Sequence, residues 1–169
     1  MGLLDKAFKV GKAAFDEAIK PESFDKGDDF EKYVNNKMFP VSDWKLIKKT
    51  QGYSSNKERF EDKSKEPDFQ FQHIKSKKFV NVECKFRSSP FKGKIEWCKY
   101  YQLKRYKEID NKYHNVYIVL GMGGFAKNPN KIYMFPVSEV KYSALYSNVV
   151  QKYEVSKNHK FKLEYGKLK

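Results

Sequence analysis

The sequence contains few of the residues that build disulfide scaffolds, zinc sites or membrane spans. Its 169 residues include only two cysteines, Cys84 and Cys98, and three histidines. Two cysteines exclude a disulfide framework and an all-cysteine zinc cage, and no cysteine or histidine stands at zinc-ligand spacing. No apolar run approaches the ~20 residues that cross a bilayer, and the N-terminus lacks the pattern of a secretory signal. We therefore expect a cytoplasmic protein without a membrane span.

Acidic residues are also scarce. The chain has 35 Lys and Arg against 21 Asp and Glu, which gives a formal net charge of +14. The first 31 residues carry a net charge of −3, so the rest of the chain carries +17. A basic body of this kind attracts polyanions, of which nucleic acid is the commonest. Lysine far outnumbers arginine, as in a lysine-rich proteome, so a purely solubilising role for the charge stays open.

The N-terminal residues 1–22 are predicted to form a separate amphipathic helix. Apolar residues recur at helical spacing over 2–20, and Pro21 ends the pattern. Lysines and acids nearly balance on this helix, which does not favour a membrane surface. We expect it to pack on the body or to mediate self-association, for example as a homodimer contact, or to bind a protein partner.

The remaining residues, 23–169, predict one α/β domain with a mixed sheet. Alternating apolar and polar residues indicate strands with one buried face, whereas a continuous apolar run indicates a strand that is covered on both faces. The predicted elements are a helix at 28–37, strands at 44–48, 68–74 and 79–86, a helix at 96–112, and strands at 116–120 and 131–135. Between and after them we predict a long loop at 50–66, a turn at Gly121–Gly124, and a short helix that starts at Ser138 and Glu139.

Three charged residues on adjacent predicted strands are candidates for catalysis. Glu83 and Lys85 are two apart on one strand, so their side chains leave the same face, and Asp68 on the neighbouring strand can approach them. Two carboxylates, with the backbone carbonyl of Cys84, would suit a hard cation such as Mg²⁺. A nearby lysine can orient or activate a water beside a phosphate. The competing interpretation is an ordinary ion pair across two strands.

These residues carry a family resemblance. Pro67-Asp68, followed by Glu83-Cys84-Lys85, resembles the signature of PD-(D/E)XK nucleases. The segment Gly27–Val34 is similar to the first core helix of that family, whose glutamate would be Glu31. The segment Gln102-Leu-Lys-Arg-Tyr106 is similar to the QxxxY motif that follows the catalytic strand in the nuclease domains of bacterial recombination helicase–nucleases.

The resemblance implies a restriction-endonuclease-like fold, dependence on Mg²⁺ or Mn²⁺, and cleavage of nucleic acid, usually DNA. It implies that Asp68 and Glu83 bind the metal and that Glu31 helps directly or through water. Lys85 would position or activate the attacking water, and Gln102 would support Lys85 or the nucleophile. Freestanding members of this size include restriction enzymes and Holliday-junction resolvases, so the QxxxY motif does not by itself imply an exonuclease.

Basic and hydroxyl side chains near the catalytic strand are candidate phosphate contacts. They are Arg87, Ser88, Lys92, Lys94, Lys99, Lys104 and Arg105. The tyrosines at 100, 101, 106 and 113 are expected to contribute to the core. Two alternatives to a DNA endonuclease stay open: a catalytically silent nucleic-acid-binding module on the same fold, and a basic interaction protein that binds an acidic protein partner.

Overall fold

The computed structural model describes residues 25–50, 66–113 and 115–169. The helix predicted at 2–20 and most of the loop predicted at 50–66 lie outside this range. In chain order the elements are α1 (residues 25–38, ending in the π-helical turn Val34–Met38), β1 (Trp44–Lys49), β2 (Phe69–His73), β3 (Phe79–Arg87), β4 (Lys94–Glu96), α2 (Tyr100–Tyr113), β5 (Val116–Phe125), β6 (Asn128–Pro136), a 3₁₀ turn (Val137–Glu139), β7 (Ala144–Tyr146), α3 (Ser147–Val150), a second 3₁₀ turn (Gln151–Tyr153), β8 (Glu154–Val155), β9 (Leu163–Glu164) and β10 (Lys167–Leu168).

A six-stranded mixed sheet forms the centre of the domain, with strand order β1-β2-β3-β5-β6-β8. The pair β3–β5 is parallel and the other pairs of this sheet are antiparallel. Parallel neighbours need a crossover connection, which α2 supplies between these two strands. The mixed sheet agrees with the sequence prediction.

Two apolar clusters cover the two faces of the sheet. On one face, Phe30 and Val34 of α1 pack with Val80 and Val82 of β3. On the other face, Tyr106 of α2 belongs to a cluster that includes alternate residues of β5. Because both faces are covered, the five residues Val116–Leu120 are all buried, as the continuous apolar run predicted. Within the described residues, no helix is long and apolar enough to cross a membrane.

The second helix starts later than predicted. We predicted its first residue at Glu96, but Glu96 belongs to β4 and pairs with Ala144 of β7. Trp97 follows, is buried, and donates its backbone N–H to the carbonyl of Ser143 at 3.0 Å. Tertiary pairing therefore overrides the helical pattern until Tyr100.

The predicted turn at Gly121–Gly124 is wrong, because β5 runs through it. Gly121 pairs with Ile132 of β6, and a Cβ atom at Gly121 would lie 2.5 Å from Cε2 of Phe30. Glycine is therefore needed where α1 crosses the strand closely. Gly123 and Gly124 both have a φ of 68°, and β5 stays in register with β6 across them, with Met122 opposite Lys131 and Gly124 opposite Pro129.

Other predictions were wrong or incomplete at the surface and in the second half of the chain. Tyr100, Tyr101 and Tyr113 are exposed rather than part of the core. The short helix expected at Ser138 is a single 3₁₀ turn, and the strand expected at 131–135 starts at Asn128. The short strands β4, β7, β8, β9 and β10 were not predicted, because two- and three-residue strands carry no periodicity.

Candidate active site

The β2–β3 hairpin brings Asp68 beside the middle of β3. Phe69 pairs with Val82 in the antiparallel register, so Asp68, one residue earlier, lies level with Glu83 and Cys84. The backbone N–H of Cys84 donates a hydrogen bond to Oδ2 of Asp68 at 2.8 Å. The loop before β2 is fixed as well, since the Thr50 hydroxyl donates to the carbonyl of Pro67 at 2.8 Å. These contacts hold the Asp68 carboxyl against β3.

Glu83 and Lys85 form an ion pair that is largely shielded from solvent. Nζ of Lys85 lies 2.5 Å from Oε1 of Glu83, and Glu83 is only 2% exposed. The other oxygen of Glu83, Oε2, is also buried, and no hydrogen-bond partner for it lies within the described residues. Because an unsatisfied buried carboxylate oxygen is costly, a ligand that bound Oε2 would stabilise this side chain.

Glu31 joins the same group from helix α1. Nζ of Lys49, in the edge strand β1, lies 3.2 Å from Oε2 of Glu31. Burial raises the pKa of the Glu31 carboxyl; Lys49 opposes this shift, while Asp28 and Glu83 add to it. Glu31 is thus within electrostatic range of Glu83, although α1 lies on the opposite face of the sheet from α2.

The charges of these side chains shift one another's pKa values. Burial raises the pKa of Asp68 well above its usual range, and the negative charges of Glu83 and Glu31 raise it further, against the effect of Lys85. Burial alone would lower the pKa of Lys85, but Glu83 and Asp68 raise it to about 12. The site therefore combines carboxylates that repel one another with one firmly charged ammonium group.

The residues present fit a hard divalent cation. No group of three or more His, Cys, Asp or Glu side chains forms a metal cage among the described residues. Mg²⁺, however, commonly binds one or two carboxylates and keeps several waters. Glu83 offers a buried oxygen without a hydrogen-bond partner among the described residues, and the pKa of Asp68 is raised by burial and then by neighbouring negative charges. A cation bound between the two carboxylates would relieve both conditions.

The two residues that define the QxxxY segment, Gln102 and Tyr106, have different environments. Oε1 of Gln102 accepts the backbone N–H of Lys99 at 2.9 Å, which caps the start of α2. Tyr106, one turn later, is fully buried, and its pKa is raised by burial and then by the charge and side-chain hydrogen bonding of Glu83. The prediction that Tyr106 belongs to the core is confirmed, and the effect of Glu83 on its pKa places it near the site as well, on the helix face that it shares with Gln102.

Two of the predicted phosphate contacts, Arg87 and Arg105, also make contacts within the domain. The Arg87 guanidinium donates to the carbonyls of Phe86, Glu96 and Trp97 at 2.8, 2.6 and 3.0 Å, and so fastens β4 to the end of β3. The Arg105 guanidinium lies 5.8 Å from the ring centroid of Tyr106, and its Nε is buried. Both side chains are half-buried, and the hydrogen bonds of Arg87 link β3 to the end of β4 and the segment that follows it.

Comparison with known proteins finds a similar solved structure, which shows the fold, but no match at the level of sequence. No family model matches the sequence, and no curated protein matches it. Among solved structures, the Holliday junction resolvase Hjc of Archaeoglobus fulgidus, an archaeal hyperthermophile, is similar with a TM-score of 0.51 and 13% identity. The match covers 81% of this chain and 99% of that chain. The two proteins share a fold. The restriction-endonuclease-like architecture expected from the motifs is therefore confirmed.

The remaining predicted phosphate contacts are exposed on this resolvase-like fold. Ser88 and Lys104 are open to solvent. Lys99 pairs with Glu96 at 2.5 Å, whereas Nζ of Lys92 and Nζ of Lys94 lie over the rings of Phe91 and Tyr146, respectively. These hydroxyl and ammonium groups can contact phosphates without a change in the fold.

Proposed function

We propose that this protein is a metal-dependent nuclease that hydrolyses phosphodiester bonds, and that it acts as an endonuclease on DNA. The observation that carries the proposal is the convergence of Asp68, Glu83 and Lys85 at the middle of β3. There the Glu83 carboxylate is buried, the half-buried Asp68 carboxyl is crowded by it, and the ammonium group lies beside Glu83. A resolvase-like fold and a basic chain with a net charge of +14 support nucleic acid as the substrate.

Each side chain has a proposed task in hydrolysis. Asp68 and Glu83 would hold Mg²⁺ or Mn²⁺, and Glu31 would help directly or through water. Such an ion, when bound, neutralises phosphate charge and lowers the pKa of a bound water. The Lys85 ammonium can donate hydrogen bonds to the attacking water or to a phosphate oxygen, which stabilises the charge that develops there. Gln102 would keep α2, and with it Tyr106, in place against Glu83.

One observation favours a second candidate, a silent nucleic-acid-binding module. Lysines already pair with two of the carboxylates, since Lys85 contacts Glu83 and Lys49 contacts Glu31. A site that neutralises its own acids in this way can persist without a metal. The module would bind nucleic acid through its exposed lysines and leave the strand intact.

Cleavage of a substrate panel distinguishes the two candidates. The panel holds supercoiled plasmid, linear duplex, single strand, four-way junction and RNA, each incubated with Mg²⁺, Mn²⁺ or EDTA. We expect metal-dependent products from DNA, and we expect nicked or linearised plasmid because an endonuclease needs no free end. Lys85→Met should abolish the products, since methionine fills the same space without the charge.

The matched control is Lys75→Met, which removes an exposed lysine from the β2–β3 turn, at the other end of the hairpin. Binding without cleavage under every metal condition would overturn the nuclease and favour the module. Products that survive in Lys85→Met at the rate of Lys75→Met would show that the activity arises elsewhere.

A further inference from the structure

A small exposed hairpin follows the catalytic strand and presents aromatic rings beside lysines. We call it the aromatic tip, and it consists of Phe91, Lys92, Gly93, Lys94 and, from β7, Tyr146. Phe91 is 76% exposed and Tyr146 is 54% exposed. Nζ of Lys92 lies 5.4 Å from the centroid of the Phe91 ring, and Nζ of Lys94 lies 4.7 Å from that of Tyr146. Two rings and two cations thus share one small surface.

The aromatic tip is held in a fixed shape. Phe91 and Lys94 exchange backbone hydrogen bonds of 2.8 and 3.0 Å around Lys92 and Gly93, whose φ angles are 49° and 75°. Positive φ at both central residues makes a type I′ turn, which matches the twist of a hairpin. The backbone N–H of Ser147 donates to the Gly93 carbonyl at 3.1 Å and its hydroxyl does so at 3.3 Å.

The base of the tip is anchored in the core. Ile95 pairs with Leu145, and both side chains are buried in the cluster under α2. Arg87, at the end of β3, donates hydrogen bonds to the next two carbonyls, those of Glu96 and Trp97. A rigid support of this kind keeps Phe91 in solvent rather than letting it fold back onto the protein.

We propose that the aromatic tip is a binding site for unpaired nucleotides, in which a base stacks on Phe91 while Lys92 and Lys94 contact the neighbouring phosphates. The inference rests on the proposed function, since it assumes a nucleic-acid ligand. Unpaired bases expose their faces, and aromatic rings beside cations bind such faces in a sequence-tolerant way. Phe91 is the sixth residue after Lys85, so even a fully extended chain would place its Cα atom only about 20 Å from that of Lys85.

A protein partner fits this surface less well. Stable protein interfaces bury roughly 1,000 Å² or more, whereas the tip offers only two exposed rings, Phe91 beside a two-residue turn and Tyr146 on β7. The lysines beside both rings complement a polyanion. The chemistry therefore favours a strand with unpaired bases over a second copy of this chain.

The test measures binding in EDTA, so that no strand is cut. A short single strand that carries one 2-aminopurine, and the same strand paired in a duplex, are titrated with the full chain. We expect Phe91→Leu to weaken single-strand binding about tenfold or more and to remove the change in 2-aminopurine fluorescence that base stacking produces. Binding of the duplex should change less than about twofold, because its bases are already stacked.

A second hairpin in the chain provides the matched control. Tyr165 and Gly166 join β9 to β10 with φ angles of 50° and 77°, and Tyr165 is fully exposed. Gly166 lies near Lys78, beyond the start of β3, so this hairpin is at the opposite end of that strand from the tip. Tyr165→Leu should bind both DNAs like wild type, and unchanged circular dichroism spectra would show that both variants fold.

Three results would overturn the proposal. The first is single-strand binding by Phe91→Leu equal to that of Tyr165→Leu, and the second is an equal loss for single strand and duplex. The third is an oligomer that Phe91→Leu dissociates in sedimentation, which would make the tip a contact between copies. Parallel cleavage assays with metal test the proposed nuclease function separately. If DNA is cleaved and Phe91→Leu has no effect on binding, only the single-strand site is rejected. If binding depends on Phe91 and no DNA is cleaved, only the nuclease function is rejected.

Discussion

The half-buried Asp68 lies within electrostatic range of two other acidic side chains, Glu83 and Glu31. Burial and the repulsion from these two acids disfavour the charged form of Asp68. The hydrogen bond from the Cys84 amide and the attraction to Lys85 offset part of this free-energy cost. Groups placed for chemistry in this way commonly reduce the stability of a protein, because the arrangement serves the bound ligand rather than the free chain.

We therefore predict that Asp68→Asn is more stable than wild type in EDTA and inactive with metal. Asparagine keeps the acceptor for the Cys84 amide and removes the repulsion, and each kcal/mol gained raises Tm by about 2–4 °C in a chain of this size. The cleavage rate should fall more than about a hundredfold, because mutation of even an outer-shell partner of a metal ligand can reduce metal affinity or activity by up to that factor. Differential scanning fluorimetry and the plasmid assay measure the two effects.

The stability difference should also depend on pH with a definite sign. Burial raises the native pKa of Asp68 above its ordinary value. Between the two values the native state holds a proton that the unfolded chain has lost, so wild type loses stability as pH rises through this window. The advantage of Asp68→Asn should grow from acid toward neutral pH.

Asp110→Asn is the matched control, because Asp110 is buried and, like Asp68, accepts a backbone N–H, here that of Val116 at 2.9 Å. This substitution does not relieve a repulsion between neighbouring acidic side chains, so the Tm of Asp110→Asn should not rise above that of wild type. A drop in Tm for Asp68→Asn in EDTA would contradict the repulsion argument.

At the scale of elements, the contact between α1 and β5 determines where Glu31 lies. Phe30, the residue before Glu31, packs its buried ring directly over Gly121. Gln102 has a similar role on the other face, where its side chain caps α2 and fixes the helix that carries Tyr106. The site thus depends on one helix from each face of the sheet.

We predict that Gly121→Ala destabilises the protein by about 1–3 kcal/mol, the usual cost of overpacking. The new Cβ would lie 2.5 to 3.0 Å from three atoms of the Phe30 ring, which would have to move together with α1. Urea denaturation measures the loss, and metal-dependent cleavage should decrease as Glu31 is displaced.

Gly27→Ala is the control within the same helix, since no described residue beyond its own stretch of helix lies within 4 Å of the added Cβ. It should be neutral or stabilising by up to about 1 kcal/mol. The double variant Phe30→Leu with Gly121→Ala should recover part of the loss. Equal stability of Gly121→Ala and wild type would show that α1 does not need this close approach.

At the scale of the whole molecule, charge should dominate the affinity for DNA. The chain carries a net charge of +14, and the exposed Lys104 lies on the helix that covers Glu83. Each phosphate that a lysine neutralises releases counterions, so log Kobs decreases linearly with log salt concentration.

We predict a steep salt dependence of duplex binding between about 50 and 200 mM, and we expect Lys104→Gln to reduce the slope by about one. Fluorescence anisotropy in EDTA measures both. Lys162→Gln, next to the short β9–β10 sheet, is the control and should leave the slope unchanged. Equal slopes for the two variants would place the DNA surface away from α2.

The sequence alone determined the features that depend on local pattern. Alternation in the segments around Phe69 and Val82 predicted the hairpin that brings Asp68 to Glu83, and the apolar run at 116–120 predicted the doubly covered strand. The spacing of Asp68, Glu83 and Lys85 predicted which side chains would meet, because strand periodicity fixes the face that each occupies.

Only the tertiary structure decided the features that depend on distant partners. The strands β4 and β7 are three residues each and almost fifty residues apart, so neither shows a pattern until they pair. Gly121 resembles a turn residue until the Phe30 ring is placed over it. The lysine that neutralises Glu31, the contact of Tyr106 with Glu83 and the exposed aromatic tip likewise arise from packing between elements, on which local periodicity carries no information.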